Sequence, residues 1–206
     1  MSENTFERLA ELLARFPGVG PRQAKRFVYF LLGASESSTR ELTESILALK
    51  KRFSQCEKCF RYFERENKEL VCNLCTDPGR DNSMLMIVAR DIDLENVRKS
   101  GTYTGGFFVL GGTVPVLGNK ETKRLRTAEL KRMLESEHNA LIQEIIIALP
   151  ANPDGDTTAG FVRSELEPII KKKNVVCTVL GRGLSTGTEL EYSDADTIRS
   201  ALKNRS

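Results

Sequence analysis

The sequence Cys56-Glu-Lys-Cys59, followed twelve residues later by Cys72-Asn-Leu-Cys75, contains two Cys-x-x-Cys pairs. The two-residue gap in each pair lets the backbone fold tightly and aim both sulfurs at one point, so four thiolates can surround one ion. Zn²⁺ suits this donor set because it has no geometric preference of its own. All four ligands would come from the protein, which predicts a structural rather than a catalytic Zn²⁺ site, one ion per chain.

The alternatives are a pair of disulfides or four ordinary core cysteines. The opening residues 1–8 lack the basic and apolar segments of a secretory signal, so we expect a cytoplasmic protein, in which disulfides are uncommon. The segment between the two pairs is rich in Arg, Glu and Lys and has little core of its own. Metal binding would therefore contribute directly to its folding.

Length and composition limit the number of domains and the kinds of surface that we expect. Its 206 residues predict one large domain or two to three small ones. The net charge is only +3, so any nucleic-acid surface must be local. No apolar run approaches the length of a membrane span, and we expect no membrane association. Cys177 lies in an apolar run and is interpreted as a small buried residue, and His138, the only histidine, as a surface residue.

The N-terminal region reads as two helices joined by Phe16-Pro-Gly-Val-Gly-Pro21. This helix-hairpin-helix pattern predicts a nucleic-acid contact, because N–H groups at the start of the second helix can hold a phosphate. The predicted contact residues are Arg22, Lys25 and Arg26. The alternative is a plain helical hairpin with solvated basic residues. A third helix is predicted over 38–53, with a capping box of Ser38 and Glu41 and an apolar stripe of Leu42, Ile46, Leu49 and Phe53.

From Met84 onward the pattern changes to short apolar runs separated by amphipathic stretches. The runs cover 84–89, 107–110, 145–149 and 175–180, and the helical stretches cover 92–99, 121–137 and 157–172. Strands buried on both faces and alternating with helices predict an α/β domain with a mostly parallel sheet. A short helix is predicted near the end of the chain, around residues 195–202.

Two acidic clusters follow predicted strands, at the sheet edge where α/β domains build their sites. Asp91 and Asp93 follow the first strand, and Asp154 and Asp156 follow the third. Carboxylates that converge there could hold Mg²⁺. Alternatively, Asp154 and Asp156 are a turn residue and a helix N-cap.

Taken together, these features resemble the bacterial recombination mediator family RecR over nearly the whole chain. The motifs that carry the resemblance are Pro17-Gly-Val-Gly-Pro21, the cysteine spacing, the stretch from Tyr103 to Gly112 and the tail from Gly183 to Asp194. The resemblance implies an α+β multidomain chain. Its parts are a helix-hairpin-helix domain (1–53), a four-cysteine zinc finger (54–78), a Toprim-like α/β domain (79–180) and a C-terminal tail segment with a helix (181–206).

The resemblance also implies a function. Such proteins are non-enzymatic DNA-binding clamps that form homotetrameric rings and act with RecO-like and RecF-like partners to load RecA on gapped or single-stranded DNA. The family's basic hairpin residues fall on Arg22 and Arg26, and its paired acids, linked to partner binding, fall on Asp154 and Asp156. Ala89 stands where a Toprim enzyme has a strand-end glutamate. This disfavours one alternative, a Mg²⁺-dependent nuclease or primase-like enzyme. The other alternative is a zinc-stapled module that binds only proteins.

Overall fold

The computed structural model describes residues 4–116, 125–136, 139, 141–181, 183–184, 187 and 189–203, without the side chain of residue 196. The chain forms two compact units, Met1–Phe53 and Ser54–Ser206. His138, for which the sequence predicts a surface position, lies outside the described residues. Within the described residues, no helix is long and apolar enough to cross a membrane.

The first unit is built from three helices: α1 (Thr5–Leu13), α2 (Pro21–Gly33) and α3 (Glu36–Arg52). Its small core lies where α1 meets α2 and contains Ala10, Ala24 and Val28. Alanine on both helices lets their backbones approach closely. The rings of Phe6 and Tyr29 extend the contact, with centroids 5.0 Å apart.

The third helix differs from its prediction in two ways. It begins at Glu36, and the Oγ of Ser35 caps it by accepting from the N–H of Ser38 at 3.2 Å. The predicted Ser38–Glu41 capping box is therefore wrong, because the residue that accepts lies three positions earlier. Helix α3 also has no buried residue. Its predicted apolar stripe is between 39% and 56% exposed at Leu42, Ile46, Leu49 and Phe53.

The second unit contains a four-stranded parallel sheet in the order β4-β3-β5-β6. The strands are β3 (Asp81–Val88), β4 (Gly105–Val109), β5 (Glu144–Ala148) and β6 (Val176–Val179), and the helices between them are α5 (Asp91–Ser100), α6 (Thr127–Glu135) and α7 (Pro153–Lys173). This confirms the predicted parallel α/β domain.

Apolar clusters cover both faces of this sheet. One face packs against α6 and α7 through residues that include Ile145, Leu130 and Leu166, and the other packs against α5 through Leu94. Alternate residues of one strand serve the two faces, since Leu85 and Ile87 join the first cluster while Met86 and Val88 join the second. The apolar runs of β3, β4 and β5 follow from this double coverage. The fourth run differs from the prediction of a strand buried on both faces, because β6 lies at the sheet edge and exposes Val176 and Val179.

Two helices of this unit differ from their predicted bounds. Helix α6 is shorter than the predicted 121–137, of which 121–124 and 137 lie outside the described residues. Helix α7 begins four residues earlier than predicted, because Asn152 is its N-cap and accepts from the N–H of Gly155 at 2.8 Å. The interpretation of Asp154 and Asp156 as turn and cap residues is therefore wrong, and both lie in the first turn. Cys177 is only partly buried, and this burial raises its pKa.

The remaining elements lie before and after the sheet. A two-stranded ribbon of β1 (Phe53–Gln55) and β2 (Tyr62–Glu64) and a one-turn helix α4 (Asn73–Thr76) carry the cysteine pairs. The tail contains a 3₁₀ turn (Leu190–Tyr192) and α8 (Ala195–Lys203). Asp194 caps α8 by accepting from the N–H and the hydroxyl of Thr197, at 2.9 and 2.7 Å.

Candidate functional site

The four predicted metal ligands come together. The Sγ atoms of Cys56, Cys59, Cys72 and Cys75 all lie within 4.8 Å of one another. The Cys56–Cys75 and Cys59–Cys72 distances are 3.9 and 3.6 Å. A tetrahedral Zn–S₄ centre with bonds of about 2.3 Å has S···S edges of about 3.8 Å, whereas a disulfide needs about 2.05 Å. The geometry therefore fits a metal centre and does not fit the disulfide alternative.

The backbone around each pair explains why the sulfurs converge. In the first pair, the N–H of Phe60 donates to the carbonyl of Cys56 at 3.0 Å, and Phe60 itself adopts a left-handed φ of 62°. In the second pair, the N–H of Cys75 donates to the carbonyl of Cys72 at 2.9 Å. A further hydrogen bond of 3.3 Å runs from the N–H of Cys72 to the Sγ of Cys56 and joins the two pairs.

The close approach of the thiols shifts their pKa values. Hydrogen bonds with the neighbouring thiols, that of Cys59 foremost, lower the pKa of Cys56. Cys56 acts to raise the pKa of Cys72, but the hydrogen bonds of Cys59 and Cys75 outweigh it and lower that pKa to about 6. Hydrogen bonds with Cys56 raise the pKa of both Cys59 and Cys75. The four thiols therefore titrate together, with the pKa lowered at Cys56 and Cys72 and raised at Cys59 and Cys75.

The cysteine segment is also anchored to the sheet domain. The main-chain N–H of Tyr62 donates to Asp91 at 2.7 Å, and Arg61 forms an ion pair with Glu95 at 3.4 Å. The Phe60 ring lies 5.3 Å from that of Phe108, centroid to centroid, and the Phe60 ring packs against the apolar clusters on both faces of the sheet.

The first acidic cluster is used for structure. Asp91 accepts from the cysteine segment, as above, and Asp93 accepts from the N–H of Arg90 at 2.9 Å and so caps α5. Ala89 is fully buried. In the part of the chain that the structure describes, three or more Cys, His, Asp or Glu ligand atoms converge only at the cysteine cluster. Among the described residues, the carboxylates of the two acidic clusters therefore do not converge in a group of three or more.

The second acidic cluster lies in the first turn of α7. Its central Gly155 is buried, and a Cβ there would stand 1.9 Å from the carbonyl oxygen of Pro150, so only glycine fits. Asp154 is half-buried and accepts from the N–H of Val116 at 3.0 Å, whereas Asp156 is exposed. Negative charge in a first turn is favoured by the positive end of the helix dipole.

The hairpin region places a glycine turn directly before the start of helix α2. Gly18 adopts a left-handed φ of 76° that other residues disfavour, and Gly20 is the N-cap of α2. The N–H groups of Arg22 and Gln23 precede the first intrahelical hydrogen bond, which Ala24 donates to Gly20 at 2.9 Å. Such N–H groups at a helix start can bind an anion.

The three predicted basic residues at this helix start are exposed but differ in their surroundings. Among the described residues, Arg22 has no ion-pair partner. Lys25 forms an ion pair with Glu7 at 2.9 Å, and Arg26 lies 3.4 Å from the side-chain oxygen of Gln23. Arg22 and Arg26 are therefore the more available cations for an external phosphate.

Comparison with known proteins agrees with this architecture. A family model described as "RecR, helix-hairpin-helix" matches residues 6–50, and one described as "Toprim domain" matches residues 83–180. Proteins named "Recombination protein RecR" match over almost the full length. That of Rubrobacter xylanophilus is 34% identical, covering 98% of this chain and 96% of its own, and that of Legionella pneumophila subsp. pneumophila is 33% identical, covering 100% and 98%. That of Bifidobacterium longum subsp. infantis is 32% identical, covering 98% and 96%.

The chain belongs to the RecR family. The names of these RecR relatives describe a recombination protein and no enzymatic reaction. We call the first turn of α7, with Asp154 and Asp156, the acidic turn. For this RecR-family chain, sequence reasoning missed three residues that position this turn: Asn152, Gly155 and Thr158. The available signal was the glycine between two acids, because glycine permits the close approach of two backbone segments.

Proposed function

We propose that this chain is a non-enzymatic DNA-binding clamp and recombination mediator of the cytoplasm. It would act with RecO-like and RecF-like proteins to help load RecA on gapped or single-stranded DNA. The proposed parts are the hairpin domain 1–53 for DNA, the zinc finger 54–78 for stability, the Toprim-like domain 79–180 for partner binding, and the tail 181–206.

The observation that carries the proposal is the start of α2, where no side chain of the described residues caps the helix and the exposed Arg22 and Arg26 lie alongside. This arrangement supports a contact with phosphates, which position a protein on DNA without reading its sequence. Lys25 is proposed as a further contact, although it must share its charge with Glu7. Binding should therefore be independent of sequence and strongly dependent on salt.

Zn²⁺ is proposed as the structural ion at Cys56, Cys59, Cys72 and Cys75. The S···S distances and the closed, largely buried thiol set support zinc rather than a hard cation, which would prefer oxygen ligands. The ion would provide four bonds that hold the two pairs together, and the protein would leave no position for a substrate.

A homotetramer is proposed as the working assembly. The first unit supports this with large exposed apolar side chains: Phe30 is 74% exposed, Leu32 is 71% exposed, and α3 has no buried residue. The second unit also exposes apolar residues on its edge strand β6, at Val176 and Val179. Two separate apolar surfaces suit an assembly with two kinds of interface.

The acidic turn is proposed as the surface that meets a RecO-like partner. Asp154 and Asp156 lie in one helical turn, and opposite charge on a partner would speed encounter and fix its orientation.

The proposal is tested by measuring the mass in solution together with DNA affinity at two salt concentrations. We expect a tetramer whose affinity falls steeply with salt. A protein-only module would bind no DNA at either salt concentration, and a nuclease would cut a plasmid when Mg²⁺ or Mn²⁺ is added. A monomer at micromolar concentration, with or without DNA, would contradict the clamp.

A further inference from the structure

Residues 111–116 cross from the end of strand β4 to the first turn of α7, and we call them the crossing segment. The chain turns at Gly111 and Gly112, whose φ angles of 101° and 144° are unfavourable for other residues. The N–H of Gly111 donates to the carbonyl of Ala89 at 3.0 Å, so the crossing segment starts beside the strand end where a Toprim enzyme has its glutamate.

Two hydrogen bonds fix the crossing segment to α7. The N–H of Val114 donates to the hydroxyl of Thr158 at 2.8 Å, and the N–H of Val116 donates to the carboxylate of Asp154 at 3.0 Å. Thr158 is fully buried, and its hydroxyl in turn donates to the carbonyl of Asp154 at 2.6 Å. The Thr158 hydroxyl therefore connects the crossing segment to Asp154.

The spacing of these two hydrogen bonds matches the length of one helical turn. Asp154 and Thr158 are four residues apart on a helix, a rise of about 6 Å. Alternate N–H groups of an extended chain repeat every 6.6 Å or so. The two repeats match, so an extended segment can lie along one helical turn and satisfy both of its N–H groups.

The crossing segment is anchored on one side and exposed on the other. Val114 packs against the main apolar cluster of the sheet domain. Pro115 and Val116 are exposed, Val116 by 52% of its surface. The exposed apolar residues thus stand next to the acids of the α7 turn, because Val116 bonds directly to Asp154.

We infer that the crossing segment and the first turn of α7 form a single partner-binding surface, with Thr158 as its positioning residue. This inference rests on the proposed role of Asp154 and Asp156. It adds that the partner must present an apolar side chain beside its basic group, to cover Pro115 and Val116. Asp154 therefore has two tasks, since its charge attracts the partner while its hydrogen bond to Val116 places the apolar contact.

The experiment measures association of the full-length protein with its RecO-like partner by calorimetry. Thr158→Val has the same shape but no hydroxyl, and loses the bonds to Val114 and Asp154. We expect it to weaken association roughly tenfold, because the crossing segment loses the hydroxyl that holds it against α7. Thr158→Ser keeps the hydroxyl and should restore most of the affinity. DNA binding should be the same in both, because the hairpin lies in the other unit.

A second variant keeps the inference testable if Thr158→Val does not fold. Val116→Lys changes an exposed residue and should weaken association. It replaces the apolar contact with a positive charge, which would repel the basic group of the partner. Ile92→Lys is the matched control: Ile92 is 61% exposed on α5, and its change should leave association intact.

The double variant Asp154→Asn with Asp156→Asn separates this inference from the proposed function. Asparagine keeps an oxygen that can accept from Val116, so this variant tests charge alone. If it weakens association while Thr158→Val and Val116→Lys do not, the acids act without the crossing segment and the inference is overturned. If it has no effect, the acidic surface proposed above is wrong. Weakening by Thr158→Val or Val116→Lys would then indicate a contact at the crossing segment alone, and the single surface inferred here would be overturned as well.

Discussion

The carbonyl oxygen of Cys59 accepts a hydrogen bond of 2.8 Å from the main-chain N–H of Val109. A candidate metal ligand is thereby tied to the last residue of strand β4, which is buried in the sheet. The next residue, Phe60, packs against both apolar clusters of that sheet. The metal centre and the core of the sheet domain should therefore be stable or unstable together.

The first prediction follows from this link. Cys72→Ser should abolish stoichiometric zinc and lower the free energy of unfolding by about 3 kcal/mol or more, equivalent to roughly 10 °C in Tm. Cys177→Ser is the control, because Cys177 lies outside the cluster; it should keep one zinc per chain. Metal analysis and thermal unfolding check both variants. A metal-free wild type, or a Cys72→Ser protein as stable as the wild type, would contradict this account.

The second prediction concerns the pH dependence of zinc retention. Thiolates bind Zn²⁺ and protons compete for them, so affinity must fall as pH falls. Although Cys56 acts to raise the pKa of Cys72, the hydrogen bonds of Cys59 and Cys75 lower that pKa to about 6, so protons compete for this ligand mainly below that pH. With a competing chelator present, we expect zinc to be retained at pH 7 to 8 and released progressively below about pH 6. Release at the same rate from pH 8 to pH 5 would show that the ligands are not these thiols.

The third prediction compares two glycines of helix α7. Gly155→Ala would push a Cβ to 1.9 Å from the Pro150 carbonyl, and we expect it to destabilise the protein by about 3 kcal/mol. At Gly160, apart from its chain neighbours and the nearby backbone of the helix itself, no heavy atom of the described residues lies within 4 Å of the position that a Cβ would take. Gly160→Ala should therefore stabilise by about 0.5 to 1 kcal/mol, because alanine is the better helix former. Denaturant unfolding measures both. Equal effects of the two changes would contradict the described start of α7.

The fourth prediction concerns assembly through the first unit. Phe30 is 74% exposed, so Phe30→Glu should cost the isolated chain little, yet a charge there should break an apolar interface. Light scattering should show a smaller assembly than the wild type. Tyr62→Glu, at a 58% exposed aromatic residue of the second unit, is the control. If Phe30→Glu keeps the full mass, the first unit does not provide an interface.

The sequence predicted those features that rest on spacing alone. The cysteine pairs, the parallel sheet and the positions of its four strands could be predicted because ligand geometry and burial on both faces leave direct patterns. Helix starts were less predictable, since Ser35 and Asn152 cap where Ser38 and the acids of the α7 turn were expected. Several residues near each helix start could act as its N-cap, and tertiary contacts determine which of them does.

The acidic turn shows a second limit of sequence reasoning. Thr158 looks like an ordinary helix residue, and its importance arises only because residues 111–116 come to lie beside it. A contact between positions 44 residues apart leaves no local pattern. Similarly, the ion pair between Lys25 and Glu7 depends on how α1 packs against α2.

The central claim is that the start of helix α2 holds DNA through phosphate contacts. It is tested most directly by the salt dependence of duplex DNA binding in the variant Arg22→Ala with Arg26→Ala. The control is Arg8→Ala with Arg40→Ala, which removes the same charge from residues that lie beside Glu11 and Glu36. We predict that the first variant binds more weakly on all sequences and that its slope of log affinity against log salt is shallower by about 0.9 for each phosphate that the protein no longer neutralises. We predict no change of slope in the control. An unchanged affinity and slope in the Arg22 and Arg26 variant would contradict the account.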